Sequence, residues 1–219
     1  MTTFPNSPAL LKGGLVLVDP TTAAVRRVIA LQYNPDTVTR TLQVKGAGQV
    51  EGDRSDALRL KGPPTETIKL DAEIDAVDEL EFPDRNPVTT QSGIFPTLSA
   101  LETIVYPTSA QLQSNNELAG AGTLEILPME SALTLFVWSK NRIVPVRITD
   151  FSVTEEAFDT ALNPIRARVT LGMRVLSVDD LGFGHRGGGL FMSYLQQKEQ
   201  LAARRPGATI RSLGLTGIG

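Results

Sequence analysis

Gly182, Gly184 and Gly187, in the run GFGHRG, have the spacing of a dinucleotide fingerprint. That motif cradles a pyrophosphate on backbone amides where a strand turns into a helix. The run does follow a predicted strand and precede a predicted helix. The fingerprint also needs a βαβ unit, with a second parallel strand ending in an acidic residue. Only a helix and a tail remain before Gly219. The preceding strand alternates, whereas buried parallel strands are apolar throughout. The sequence therefore predicts a flexible hinge here, not a nucleotide site. No G-x-x-x-x-G-K-[ST] loop occurs.

His185, the single histidine, lies in the same glycine-dense run. A Ser-His-Asp triad would depend on it, yet catalytic groups must be held rigidly by packing. It reads as an exposed loop residue. With no cysteine, thiol nucleophiles, thiolate metal sites and disulfides are excluded. Asp71, Glu73, Asp75, Asp78, Glu79 and Glu81 cluster. A carboxylate pair among them could do acid–base work, but alternation sets the first three on one polar strand face. Glu155, Glu156 and Asp159 read the same way, and no EF-hand spacing is present. Arg166, Arg168 and Arg174 share another strand face. They could line a channel, meet phosphate, pair with acids of a neighbouring copy, or be solvated. Trp138 beside Phe136 reads as a core aromatic. No catalytic, metal or cofactor site is expected, and a non-enzymatic role is.

The elements that would position these residues are mostly strands. Gly14–Asp19 and Ala23–Tyr33 flank a Pro20-Thr21-Thr22 turn and read as a hairpin. Asn34-Pro35-Asp36 turns the chain again. Thr37–Lys45 alternates with Val38, Leu42 and Val44 on one side, Arg40 being the exception. Glu66–Asp75 sets Ile68, Leu70, Ala72 and Ile74 against Thr67, Lys69, Asp71 and Glu73, the period of a half-buried strand. Ser131–Trp138 is apolar on both faces. Arg142–Thr154 changes phase after Ile148, which predicts a bulge near Thr149-Asp150. Asn163–Val178 alternates throughout. Short links favour antiparallel pairing.

Between the strands, 46–64 is polar and aperiodic and reads as a long loop or hairpin arm ordered by a partner, with Gly46, Gly52, Arg54 and Arg59 as candidates. One short helix is expected over Pro96–Tyr106, from Leu98, Leu101, Ile104 and Val105. Residues 78–95 read as a connector and Thr108–Gly122 as a polar loop. Residues 182–189 read as flexible and 190–205 as a helix. The fold class is mainly β with minor α, with a β domain over 1–180 and a glycine-rich linker, helix and tail over 181–219.

The 219 residues are 41% hydrophobic and 21% charged, ordinary values for a chain that builds its own core. A net charge of −3 argues against a dedicated nucleic-acid binder. No apolar run is long enough to span a membrane as a helix. Met1–Leu11 lacks the basic and apolar regions of a secretion signal.

Five segments in order resemble the tube-initiator type of contractile-injection-system tube protein. They are IALQYNPDTVTRTL (Ile29–Leu42), PTETIKLDAEID (Pro64–Asp75), LFVW (Leu135–Trp138), VRITDFSVTEEAF (Val146–Phe158) and LNPIRARVTL (Leu162–Leu171). The resemblance covers roughly 10–180. It implies an antiparallel barrel or sandwich with one inserted helix. It also implies a ring, usually a hexamer, that connects a spike or hub to an inner tube and nucleates tube assembly. Such rings sit at the baseplate of phage tails or phage-tail-like particles. Implied partners are further copies of the chain, the inner tube protein and the spike or hub, with baseplate or sheath proteins beyond. Assembly would take place in the cytoplasm of the producing bacterium, with release in some systems. Lys69, Asp71, Glu73, Arg166, Arg168 and Arg174 become candidate subunit-interface residues. Many relatives carry a C-terminal LysM domain, for which residues after Asp180 are too few. The helix bearing Leu190, Met192 and Leu195 would replace it as a docking arm. The competing readings are a monomeric β-sandwich that binds a peptide or glycan, and a hydrolase using the 71–81 acids.

Overall fold

Seven strands form one antiparallel sheet in the computed structural model, which describes residues 10–46, 59–120, 131–205 and 207–217. The strands are β1 (Gly14–Val18), β2 (Val25–Ala30), β3 (Val38–Gln43), β4 (Thr65–Asp75), β5 (Leu133–Val137), β6 (Ile143–Phe158) and β7 (Pro164–Val175). Their order is β2-β1-β5-β6-β7-β4-β3, leaving β2 and β3 at the edges. The mainly β class with minor α is as the sequence predicts.

The period-two pattern decides which way each strand faces. On β4, Ile68, Leu70, Ala72 and Ile74 are buried, and their odd-numbered neighbours from Thr67 to Glu73 are exposed. β7 answers with Ala167, Val169, Leu171 and Met173 in register across the ladder. β6 pairs Ile148 with Met173 and Asp150 with Gly172, so Thr149 is the extra residue of a bulge. It keeps Val144, Val146 and Ile148 on the same side as Phe151 and Val153. A Cβ on Gly172 would stand 2.8 Å from the Asp150 Cβ, so a side chain there would crowd the bulge.

The sheet curls. Leu15 and Ile29, near one edge, share a core cluster with Ile68 and Leu70 near the other. Leu98 and Leu101 of α3 (Phe95–Glu102) enter the same core. Each fully buried aliphatic side chain stabilises the fold by about 1.5–3 kcal/mol. Phe136 and Trp138 stack with centroids 6.0 Å apart, and Trp138 packs against this core, as a core aromatic should.

The insertion after β4 holds more helix than the single one expected. α1 (Val77–Leu80), a 3₁₀ turn (Pro83–Arg85) and α2 (Pro87–Ser92) precede α3, and α4 (Ser109–Gly120) follows it. The expected polar loop over 108–122 is thus helical through Gly120, and 121–130 lie outside the described residues. α4 buries no residue, so it shows no apolar periodicity to read. Its Ala, Gln, Leu and Glu residues instead favour helix intrinsically.

The C-terminal segment also differs from expectation. α5 (Val178–Leu181) carries a capping box between Ser177 and Asp180. α6 (Arg186–Ala203) begins before the glycines end, with Gly187, Gly188 and Gly189 in its first turns. Gly187 and Gly188 are buried packing residues rather than a flexible linker, while Gly189 faces open space. A Cβ on Gly188 would lie 2.0 Å from the Gly182 carbonyl oxygen, and one on Gly187 2.3 Å from Leu181 Cδ1. Gly182 takes φ +73° as the cap of α5. His185 is the α6 N-cap, its Nδ1 accepting from the Gly187 N–H at 3.0 Å.

Candidate subunit interface

The charged residues on the outer face of β4 and β7 meet one another. Register sets Asp75 opposite Arg166, Glu73 opposite Arg168 and Asp71 opposite Thr170. Arg166 Nε donates to Asp75 Oδ2 at 2.7 Å, Arg168 Nη2 to Glu73 Oε1 at 3.1 Å, and Thr170 Oγ1 to Asp71 Oδ1 at 2.6 Å. β6 extends the rows with Glu156, Thr154 and Ser152. The Asp75 hydrogen bond and charge raise the Arg166 pKa above its ordinary value, with Glu156 and Glu73 adding to the effect. None of the options the sequence left open for the arginines is this one: Arg166 and Arg168 pair with Asp75 and Glu73 of their own chain. Opposite charges facing across a ladder favour that register over a slipped one. Being exposed, these pairs add little to stability. A shallow groove among Tyr33, Glu73, Asp75, Glu156, Arg166 and Arg168 marks this face.

The other two interface candidates sit further along the face. Lys69 lies opposite Gly172 on β7 and Thr39 on β3. Arg174 pairs with Asp180 of α5. Burial alone would raise the Asp180 pKa. Hydrogen bonds from the Ser177 N–H and hydroxyl, together with Arg174, outweigh it and hold the carboxyl below its ordinary value.

The arm candidates divide. Gly52 and Arg54 lie outside the described residues. Gly46 makes an antiparallel bridge with Leu60, next to Arg59, and the Lys61 N–H bonds the Lys45 carbonyl at 2.9 Å. The β3–β4 hairpin therefore continues at least this far. Lys45 pairs with Asp179 of α5 at 3.1 Å at its base.

The docking-helix candidates rest on their own chain. Leu190 packs against the cluster of Val18, Leu133 and Leu135. Met192 and Leu195 pack against the main core, and Phe191 and Tyr194 are buried in it.

One cluster escaped the sequence reading. Glu66 sits on the core face of β4, in phase with Ile68, and is only 3% exposed. Its Oε1 accepts from Arg40 Nε at 2.7 Å and from the Tyr194 hydroxyl at 3.1 Å, and its Oε2 from Lys198 Nζ at 3.1 Å. Arg40 Nη2 also reaches the Tyr194 hydroxyl at 3.2 Å, and the Lys198 ammonium stands 4.0 Å from the centre of the Tyr194 ring. Burial pushes the Glu66 pKa up, but hydrogen bonds and charge from Lys198 and Arg40 prevail and hold it below the ordinary value. Two signals were present: Glu66 shares the parity of the buried residues of its strand, and Arg40 breaks the alternation of β3.

No family model matches the chain, and no curated protein matches it. Among solved structures it is similar to the tail of an empty GTA particle, computed with helical refinement and C6 symmetry. The identity is 11% and the TM-score 0.28, over 75% of this chain and 90% of that one. Likeness at that level leaves fold and function to be read from this chain's own residues.

Proposed function

We propose that this chain is a non-enzymatic structural component of a phage tail or contractile injection particle. In it, copies of the chain form a ring between spike or hub and inner tube, and the ring nucleates the tube. The observation that supports this most directly is the pair of free sheet edges. Among the described residues, β2 and β3 each pair on one side only. Both expose apolar side chains, with Val28 at 63% and Leu42 at 46%. Unpaired edges invite another strand. Two free edges on one sheet let each copy take a neighbour on both sides, and a rotation that closes gives a ring. The segments resembling tube-initiator proteins supply the rest: they fold here as the end of β2, β3, β4, β5, β6 and β7, the strands of that sheet. A hexamer is the expected size.

Native mass spectrometry over a range of concentrations, paired with imaging of particles carrying a labelled chain, tests the reading. A discrete ring located at one end of a tube is expected. A chain that stays monomeric at all concentrations and never enters a tube-containing particle overturns it, and peptide or glycan binding by that monomer would establish the binding-module alternative.

A further inference from the structure

We propose that α6 is a strap whose seating holds the free edge strand β3 in place, so that the C-terminal helix and β3 loosen together. β3 has one strand neighbour, β4, and only Val38 and Arg40 of its side chains are even half-buried. Arg40 is its polar anchor on the core face, and what it grips is Glu66. The other two groups on that carboxylate, Tyr194 and Lys198, both come from α6. The Arg40 guanidinium also reaches the Tyr194 hydroxyl directly.

A carboxylate with only 4% of its side chain exposed keeps its charge because its partners replace water. If α6 lifts, Glu66 loses two of its three partners and draws water into the core face under β3. Arg40 then competes with water for the same carboxylate, and the anchor of β3 weakens. The converse follows by linkage: freeing Arg40 weakens the seat of α6. A second tie runs the same way, since Asp179, just before α6, holds Lys45 at the base of the β3–β4 hairpin. The coupling stands without the ring. Its use does rest on the ring reading: β3 is an edge offered to a neighbouring copy, and α6 would decide whether that edge is held ready.

Hydrogen exchange on the full chain, with its mass measured in the same sample, tests the coupling apart from assembly. Lys198→Met removes a partner that is already 35% exposed and leaves the core intact. Exchange is expected to rise about tenfold in α6 and, with it, in the β3 amides bonded to β4, while β1 and β5 stay protected. Arg40→Met is expected to do the reverse, loosening β3 and carrying α6 with it. Faster exchange in α6 with β3 unchanged overturns the strap, as do effects of the two variants that simply add in the double variant. A strap that passes in a chain that forms no ring leaves the coupling standing and removes only its use.

Discussion

The Gln32 carboxamide bonds both backbone groups of Asp75. Its Nε2 donates to the Asp75 carbonyl at 2.6 Å and its Oε1 accepts the Asp75 N–H at 2.9 Å. Gln32 follows one edge strand, and Asp75 ends the strand next to the other edge. A side chain thus makes the pair of bonds a further strand would make and ties the curled sheet at this one point, while β2 and β3 keep their outer sides unpaired among the described residues. Beside it Asn34 holds the lead-in to β1, accepting from the Gly13 N–H at 2.9 Å and donating to the Leu11 carbonyl at 2.8 Å. Gln32→Leu is expected to lower stability by about 2 kcal/mol, near the sum of two net hydrogen bonds. Gln32→Glu keeps the acceptor but sets a carboxylate oxygen against the Asp75 carbonyl, and should cost at least as much as Gln32→Leu. Urea denaturation of the three proteins checks the order; equal stability of Gln32→Leu and wild type would show that the clasp does not hold the curl.

Adjacent glycines of α6 should respond with opposite signs. A Cβ on Gly188 meets the Gly182 carbonyl, which belongs to the backbone and cannot swing away. Gly188→Ala should therefore destabilise by about 1–3 kcal/mol, the cost of overpacking. Nothing lies within 4 Å of a Cβ on Gly189, which is exposed. Gly189→Ala should stabilise by up to about 1 kcal/mol through helix propensity. Thermal melts of the two variants decide; a loss at Gly189 would mean that the start of α6 is not helical.

The outer ladder can be separated from assembly by exchanging charges. Arg168→Glu alone places two carboxylates face to face across β4 and β7. Adding Glu73→Arg restores opposite signs in the chain but inverts the pattern shown to a neighbour. The double variant is expected to melt like the wild type and to fail in ring formation, read by native mass. Normal assembly of the double variant would remove Glu73 and Arg168 from the interface.

Acid should loosen the same cluster that straps α6. The Glu66 pKa is lowered from an ordinary 4.5 in the folded chain, and that of Asp180 is lowered as well. Below the unfolded pKa the unfolded chain holds more protons than the native one, so falling pH favours unfolding. The contribution is complete above about 4.5 and disappears as pH drops through the lowered folded value. Glu66→Gln should cost about 3 kcal/mol at neutral pH, since it leaves two cations facing a neutral amide, and should flatten the acid side of the stability curve. Equilibrium unfolding of both proteins from pH 7 to about pH 3 gives the slopes; parallel curves would mean that Glu66 carries none of the dependence.

Local and periodic features of this fold can be read along the chain. Alternation in β4 and β7 assigns each side chain to a face, because successive residues of a strand point to opposite sides. The phase change after Ile148 locates the Thr149 bulge, and Pro20 with Asn34-Pro35 marks turns, because these are properties of neighbours along the chain. The tertiary structure decided the rest. Asp75, Glu73 and Arg168 were visible as strand-face charges, but only the register of β4 on β7 shows that they satisfy one another. Gly187 and Gly188 look like a hinge until the Gly182 carbonyl and Leu181 are found against them. α4 has no buried face to print a period on the sequence. Glu66, Arg40, Tyr194 and Lys198 come from three elements up to 158 positions apart, and only folding brings the other three within 3.1 Å of the Glu66 carboxylate.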